Sequence, residues 1–314
     1  MTWWGVILVL AGLGVLVALW PRLVDLLFHE KMDAAARADA PGQFAQLPCG
    51  VTHYRWDGPE DGPITVLVHG QTTPCFVWDG VARLLAARGE RVLRYDLLGR
   101  GYSDRPSGAQ DAEFFLRQLD ALLADQKVTG PVTMMGFSMG GAISASYAAT
   151  RPGRVARLVL VAPAGMGGVG TGWLRALRDA DGPGMWLFRL IYPGMHRRAG
   201  RVLTRDHGLP EALERAQQRE ADLRGFAPGV MSSLRHLLRG DLVVEHRALA
   251  QAGVPVLAIW AAEDRDIPLS RREVLAEWNP QAGQVTVPGA DHWLPLTHPQ
   301  AVVEAVTDWQ AGGA

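Results

Sequence analysis

A serine hydroxyl is a weak nucleophile until a base takes its proton and a third group orients that base. One serine in this chain sits where such an arrangement could be built: Gly136-Phe137-Ser138-Met139-Gly140, after the apolar run Val132-Thr133-Met134-Met135 and before the small residues Gly141-Ala142-Ile143-Ser144-Ala145. The order reads as strand, glycine turn, helix. A G-x-S-x-G pattern there lifts the serine onto a sharp turn at the end of a sheet, with a helix N-terminus behind it. In a chain with 36 glycines, chance alone produces the bare pattern in roughly one sequence in ten. Its partners must therefore decide its meaning.

Those partners should follow strands, because reactive groups on a parallel sheet gather beyond the strands' carboxyl ends. Asp264 follows the apolar run Val256-Leu257-Ala258-Ile259-Trp260, and His292 follows Val285-Thr286-Val287. The chain order Ser138, Asp264, His292 is the order such a sheet requires. A lone histidine is more often a surface or capping residue; the serine pattern and an acid at matching strand ends reverse that reading. Glu263 and Asp266 compete for the acid's place. Asp264 is favoured because Pro268 comes four positions later, enough for a turn that aims its carboxylate inward. The negative charge developing on a substrate oxygen needs two backbone N–H donors. Met139, at the start of a helix, supplies one. Gln71, in the loop after Ile64-Thr65-Val66-Leu67-Val68, supplies the other, and His69 fixes that loop by hydrogen bonds.

The elements around these residues alternate. Phe44 to Trp56 reads as a hairpin, Val77 to Arg88 and Glu113 to Gln126 as helices, and Arg91–Tyr95 and Leu158–Val161 as further strands. Strands alternating with helices predict a parallel α/β sheet. The alternation stops between Pro163 and Val254, a stretch rich in arginine and helical in character, and resumes until a closing helix over Pro299 to Gln310. The expected organisation is therefore a core over 44–163 and 253–314, interrupted by a helical cap over 164–252.

The amino-terminal end differs. Thr2 to Trp20 carries no charge and has tryptophans at both ends, the length and flanks of a helix that crosses a bilayer. A cleavable signal peptide would want a basic start, a shorter apolar run and a small-residue cleavage site, none of which stands out here. The expectation is an uncleaved anchor over 1–21 and a juxtamembrane linker over 22–43. Arg22, Lys31 and Arg37 follow the span, which by the positive-inside rule puts the rest of the chain in the cytoplasm as a single-pass membrane protein.

Composition narrows the function further. The 314 residues suffice for one large domain with an insertion. A formal net charge of −1 gives no footprint for nucleic acid. Cys49 and Cys75 have no metal-ligand spacing; two cysteines do not reveal whether they pair, and buried free thiols are the favoured reading. Nothing in the sequence speaks to oligomeric state.

Four motifs in register carry a family resemblance: His69-Gly70-Gln71, Asp96-Leu97-Leu98-Gly99-Arg100-Gly101-Tyr102-Ser103, Gly136-Phe137-Ser138-Met139-Gly140-Gly141, and the Asp264 and His292 segments. Over roughly 44–163 and 253–312 the chain resembles the α/β-hydrolase fold superfamily, in its esterase and lipase-like branch. The resemblance implies a mostly parallel eight-stranded sheet flanked by helices, a Ser-His-Asp triad and no metal or organic cofactor. It implies cleavage of a carboxylic ester with an apolar acyl chain, with membrane-anchored monoacylglycerol lipase-type hydrolases among similar proteins. Carbon–carbon hydrolases of the meta-cleavage type, and amide or lactone hydrolases, are the alternative within enzymes. A non-catalytic binding protein of the same fold is the rival of another class, and an intact triad argues against it. Trp173, Trp186, Phe188 and Trp293 are the expected pocket residues, with the cap's own core as the plainer role for its aromatics.

Overall fold

Short β-branched and apolar runs whose side chains must be covered on both faces build the centre of the molecule. The computed structural model describes residues 2–170 and 172–312. Its strands are β1 (Gln43–Leu47), β2 (Gly50–Asp57), β3 (Ile64–Val68), β4 (Arg91–Tyr95), β5 (Val132–Phe137), β6 (Val155–Val161), β7 (Val256–Ala261) and β8 (Gly283–Val287). They form one sheet in the order β1-β2-β4-β3-β5-β6-β7-β8. The β1–β2 hairpin pairs antiparallel to β4, and every later pairing is parallel. The chain thus has the α/β-hydrolase architecture, with β5 near the middle.

Alternate residues of the central strands feed two cores, as the two-residue period of a strand requires. Leu67, Met135, Val159, Leu257 and Ile259 join the apolar cluster on one face. Val66, Val68, Met134, Leu158, Leu160 and Trp260 join the other. Helices α2 (Asp79–Ala87), α3 (Ala112–Asp125), α4 (Met139–Thr150), α9 (Val243–Gln251), α10 (Arg271–Trp278), α11 (Leu294–Thr297) and α12 (Pro299–Ala311) flank the sheet. Between β6 and α9 come α5 (Gly172–Asp179), α6 (Asp181–His207), α7 (Glu211–Glu220) and α8 (Phe226–Arg235).

The stretch expected as one cap divides in two. Helices α5 to α8 pack on one another, whereas α9 lies against α4 and α10 beside the sheet. His246 and Leu249, both buried, face inward from α9. A sequence that is helical throughout gave no sign of where the packing partner changes.

The amino-terminal helix α1 (Trp3–Phe28) is longer than the uncharged run and continues through Pro21. At 26 residues it extends about 39 Å, and it is long and apolar enough to cross a membrane. Its second half is tied to the cap. Trp186 Nε1 donates to the Val17 carbonyl at 2.8 Å, an Arg224 guanidinium N–H donates to the Leu26 carbonyl at 2.7 Å, and Glu30 pairs with Leu223 as an isolated bridge. The juxtamembrane stretch expected from residue 22 begins as helix, to Phe28, docked on the cap.

Candidate active site

The turn between β5 and α4 leaves no room for side chains. A Cβ on Gly136 would stand 2.3 Å from the Gly140 carbonyl oxygen, and one on Gly140 would stand 2.1 Å from that of Val68. Both distances are far inside contact, so glycine is required at each. Between them Ser138 adopts φ 52° and ψ −118°, a conformation that costs a non-glycine residue on the order of 1–3 kcal/mol and clusters at functional sites. The surroundings hold it there: the Ser138 N–H donates to the Val161 carbonyl at 3.0 Å, and its carbonyl accepts from Gly141 at 2.9 Å and Ala164 at 3.0 Å.

The strained turn aims the hydroxyl at His292. Ser138 Oγ and His292 Nε2 are 3.0 Å apart, and His292 Nδ1 is 2.8 Å from Asp264 Oδ2. The other oxygen, Asp264 Oδ1, accepts from the backbone N–H groups of Asp266 at 2.8 Å and Ile267 at 2.7 Å. One carboxylate oxygen is pinned by the turn while the other faces the imidazole. That arrangement gives a neutral imidazole Nδ1–H donating to Asp264, leaving Nε2 as the acceptor for a hydroxyl proton. Asp264 therefore takes the acid's place and Asp266 does not; Asp266 lines the mouth of the cavity instead. Burial works against charge on His292, but the hydrogen bond and charge of Asp264, with Asp266 and Asp291 nearby, raise its pKa above the ordinary 6.5.

Ser138 and His292 open into a cavity of about 230 Å³ that also takes in Gln71 and Trp293. The Gln71 loop is fastened from three sides. Its carbonyl accepts from Arg100 Nε, and its side-chain amide donates to Ser233 Oγ at 2.9 Å and the Val230 carbonyl at 3.1 Å on α8. Among the described residues the Gln71 and Met139 N–H groups have no hydrogen-bond partner. His69, fully buried, stands one turn back: its Nδ1 lies 2.7 Å from the Gly70 carbonyl, and its Nε2 accepts from the Leu97 N–H at 2.8 Å. Burial lowers its pKa to about 4, so it is a neutral strut.

Arg100 is the residue that sequence reasoning missed. Wholly buried, it reaches the Gln71 carbonyl, the Gly229 carbonyl at 3.3 Å and Ser233 Oγ at 3.1 Å, tying the Gln71 loop to the cap. Burial holds its pKa down to about 10. Its place between Gly99 and Gly101 was visible, but nothing local told that its side chain turns inward. Thr73, also buried, lines the cavity with a hydroxyl that has no partner among the described residues.

Three of the four expected pocket aromatics lie elsewhere. Trp173 is exposed on α5, since its neighbour Leu174 takes the inward position. Trp186 turns to α1, where its indole binds the Val17 carbonyl. Phe188 is buried in the cap's own core, stacked on Tyr192 with ring centroids 4.3 Å apart. Trp293 does line the cavity, and the cap contributes Val169, Leu174, Tyr192 and Leu234. Helical periodicity marked an apolar face of α6 but not which neighbour would claim each residue.

Three further carboxylate–histidine pairs lie outside this line among the described residues: His53–Asp96, His207–Asp291 and His29–Asp25. Asp96, buried, receives His53 Nδ1 at 2.7 Å, the Tyr102 N–H at 2.9 Å and the Cys75 N–H at 2.8 Å. His53 Nε2 meets the Pro41 carbonyl, so both ring nitrogens face acceptors and the imidazole must carry two protons. His207 on α6 meets Asp291 at 2.9 Å. Cys49 and Cys75 are both free thiols.

The alpha/beta hydrolase fold family model matches residues 63–299, most of the chain and all of the site. The chain belongs to the alpha/beta hydrolase fold family. A 2-hydroxymuconate semialdehyde hydrolase of Pseudomonas sp. (strain CF600) is 27% identical over 260 residues, 78% of this chain and 86% of that protein. A haloalkane dehalogenase of Mycolicibacterium paratuberculosis is 36% identical, but over only 110 residues, 34% of this chain and 36% of that one. Among solved structures, an enol-lactonase from Burkholderia xenovorans LB400 superposes with a TM-score of 0.68 at 25% identity, covering 86% of this chain and 100% of the lactonase. The fold places this family member among the hydrolases; its bond specificity is a separate matter.

Proposed function

We propose that this α/β-hydrolase cleaves carboxylic esters, lactones among them, through an acyl-enzyme on Ser138. The observation that carries the reading is the continuous hydrogen-bonded line Asp264–His292–Ser138, ending on a strained serine that faces a cavity. Ser138 Oγ attacks the carbonyl carbon as its proton passes to His292 Nε2. The imidazolium that forms is stabilised by Asp264. The oxyanion is held by the N–H groups of Gln71 and Met139, the latter at the positive end of α4, and such preorganised donors contribute most of the rate in acyl transfer. His292 then gives its proton to the leaving oxygen, and water, deprotonated by the same imidazole, releases the acid. The Thr73 hydroxyl is free to bind a substrate oxygen.

Cavity size supports a compact substrate. About 230 Å³ falls below the roughly 300–1,000 Å³ of sites that enclose drug-sized ligands, so a short acyl group or a lactone ring fits better than a long chain such as a monoacylglycerol's. We expect kcat/KM on p-nitrophenyl acetate or butyrate to exceed that on the palmitate by about tenfold or more, about what a single methylene in a fitted apolar pocket is worth. Equal rates on all three would remove this size limit. A second reading, hydrolysis of a semialdehyde of the 2-hydroxymuconate kind, is favoured by the relative that matches 78% of this chain; turnover of that semialdehyde with no turnover of any ester or lactone would replace the first.

We further propose that α1 anchors the protein in a bilayer, with the catalytic domain on the cytoplasmic side as Arg22, Lys31 and Arg37 favour. The exposed apolar side chains of α1, from Trp3 to Trp20, support it. Flotation of the full chain with liposomes, and its loss when residues 2–28 are deleted, tests the anchor.

A further inference from the structure

A second cavity, of about 570 Å³, shares no residue with the first. It lies between α1 and the start of α6, with Gly14, Val17 and Ala18 along one wall, Trp186 on the other, and Arg22 and Arg189 at one end. The two helices run side by side in the same direction: Trp186 meets Val17, and one turn further on Arg189 faces Asp25 at 3.6 Å. The apolar part of the cavity is therefore level with Gly14 to Ala18, inside the uncharged run. Its basic end is level with Arg22, where that run stops.

The charges at that end do not balance. Two guanidinium groups meet one carboxylate, and Asp25 is already held by His29 Nδ1 at 2.9 Å and the Gly225 N–H at 3.1 Å. Arg189 Nε is buried without a hydrogen-bond partner among the described residues, an omission that costs about 1–3 kcal/mol unless a ligand supplies the acceptor. Arg22 has no carboxylate within ion-pair distance among the described residues. An apolar slot at bilayer depth, closed at the interface by Arg22 without a carboxylate partner and Arg189 with an unpaired Nε–H among the described residues, has the shape and charge of an amphiphile with an anionic head.

We propose that this cavity binds an anionic phospholipid of the bilayer, its phosphate between Arg22 and Arg189 and an acyl chain along Gly14 to Ala18. The inference rests on the membrane reading of α1. A planar guanidinium suits phosphate oxygens. A zwitterionic lipid would bring a quaternary ammonium beside the same two cations, which disfavours it. The lipid would join α1 to the cap and so set the cap's height above the bilayer.

The test uses the full chain with Ser138→Ala, so that no lipid is consumed, in detergent and read by native mass spectrometry. Phosphatidylglycerol is expected to be retained about tenfold better than phosphatidylcholine of the same chains, and the Arg22→Gln/Arg189→Gln double variant to lose that preference, as removing charge-assisted hydrogen bonds predicts. In the otherwise wild-type chain the double variant should keep its ester kcat/KM within twofold, showing that it folds, and should still float with liposomes. Equal retention of the two lipids, an unchanged preference in the double variant, or inorganic phosphate competing as well as the lipid would each overturn the proposal while leaving the anchor intact. A full chain that does not float would instead overturn the membrane reading, and this inference with it.

Discussion

His292 works as a base only when neutral, and its surroundings favour the charged form. Its pKa lies above the ordinary 6.5 because Asp264, Asp266 and Asp291 outweigh the effect of burial. Activity must therefore rise with pH through a value above 6.5, and kcat/KM for a simple ester, which reports the free enzyme, should show that inflection. Asp264→Asn removes the carboxylate that raises it and no longer secures the Nδ1–H form. The inflection should move down, and kcat should fall by about three to four orders of magnitude; an unchanged profile would mean that Asp264 does not act on His292. His53 titrates with the opposite consequence. Burial disfavours its charge, but Asp96 and the Pro41 carbonyl raise its pKa. The folded state thus binds a proton that the unfolded chain holds less tightly, so the stability it lends is complete below about pH 6.5 and is lost as pH rises through its folded value. His53→Ala strands the buried Asp96 carboxylate and should cost about 3–5 kcal/mol in urea unfolding; a cost under about 1 kcal/mol would show the pair is not needed.

At the scale of elements, the β5–α4 turn is the piece most legible in the sequence and least tolerant of change. Its glycines are read from the pattern and explained by the 2.1 and 2.3 Å separations that a Cβ would meet. Gly140→Ala should lower stability by about 3 kcal/mol or more, because the opposing atom is a backbone oxygen of β3 that cannot swing away. A melting temperature within about 2 °C of wild type would show that the turn can yield. The strands were legible for a related reason: a run buried on both faces is apolar throughout, so Ile64–Val68 and Val256–Ala261 announce themselves. The cap was not. Trp186 and Phe188 lie two residues apart on α6, yet one meets α1 and the other the cap's interior. Helical spacing reports which residues are apolar, not which neighbour covers them. Arg100 was hidden likewise, because three of its four acceptors are backbone carbonyls, at 71, 99 and 229, beside Ser233 Oγ, and carbonyls leave no mark on a sequence.

Across the whole molecule, three parts distant in sequence meet around the hydrogen-bonded line Asp264–His292–Ser138. The sheet presents Ser138, Asp264 and His292 from the ends of β5, β7 and β8; the cap closes the cavity through Leu174, Tyr192 and Leu234; and α1 holds the cap through Val17, Asp25 and Leu26. The meeting of Ser138, His292 and Asp264 and the mostly parallel sheet were legible in the sequence, while the junction of α1 with the cap arose only in three dimensions. In the proposed mechanism Ser138 alone is the activated nucleophile. Reaction with a fluorophosphonate, followed by peptide mapping, tests this. A single adduct on Ser138 is expected in the wild-type chain, with at least about a thousandfold slower labelling in His292→Gln and no adduct in Ser138→Ala. A Ser138→Ala chain that labels at the wild-type rate, or an adduct on any other serine, would contradict it.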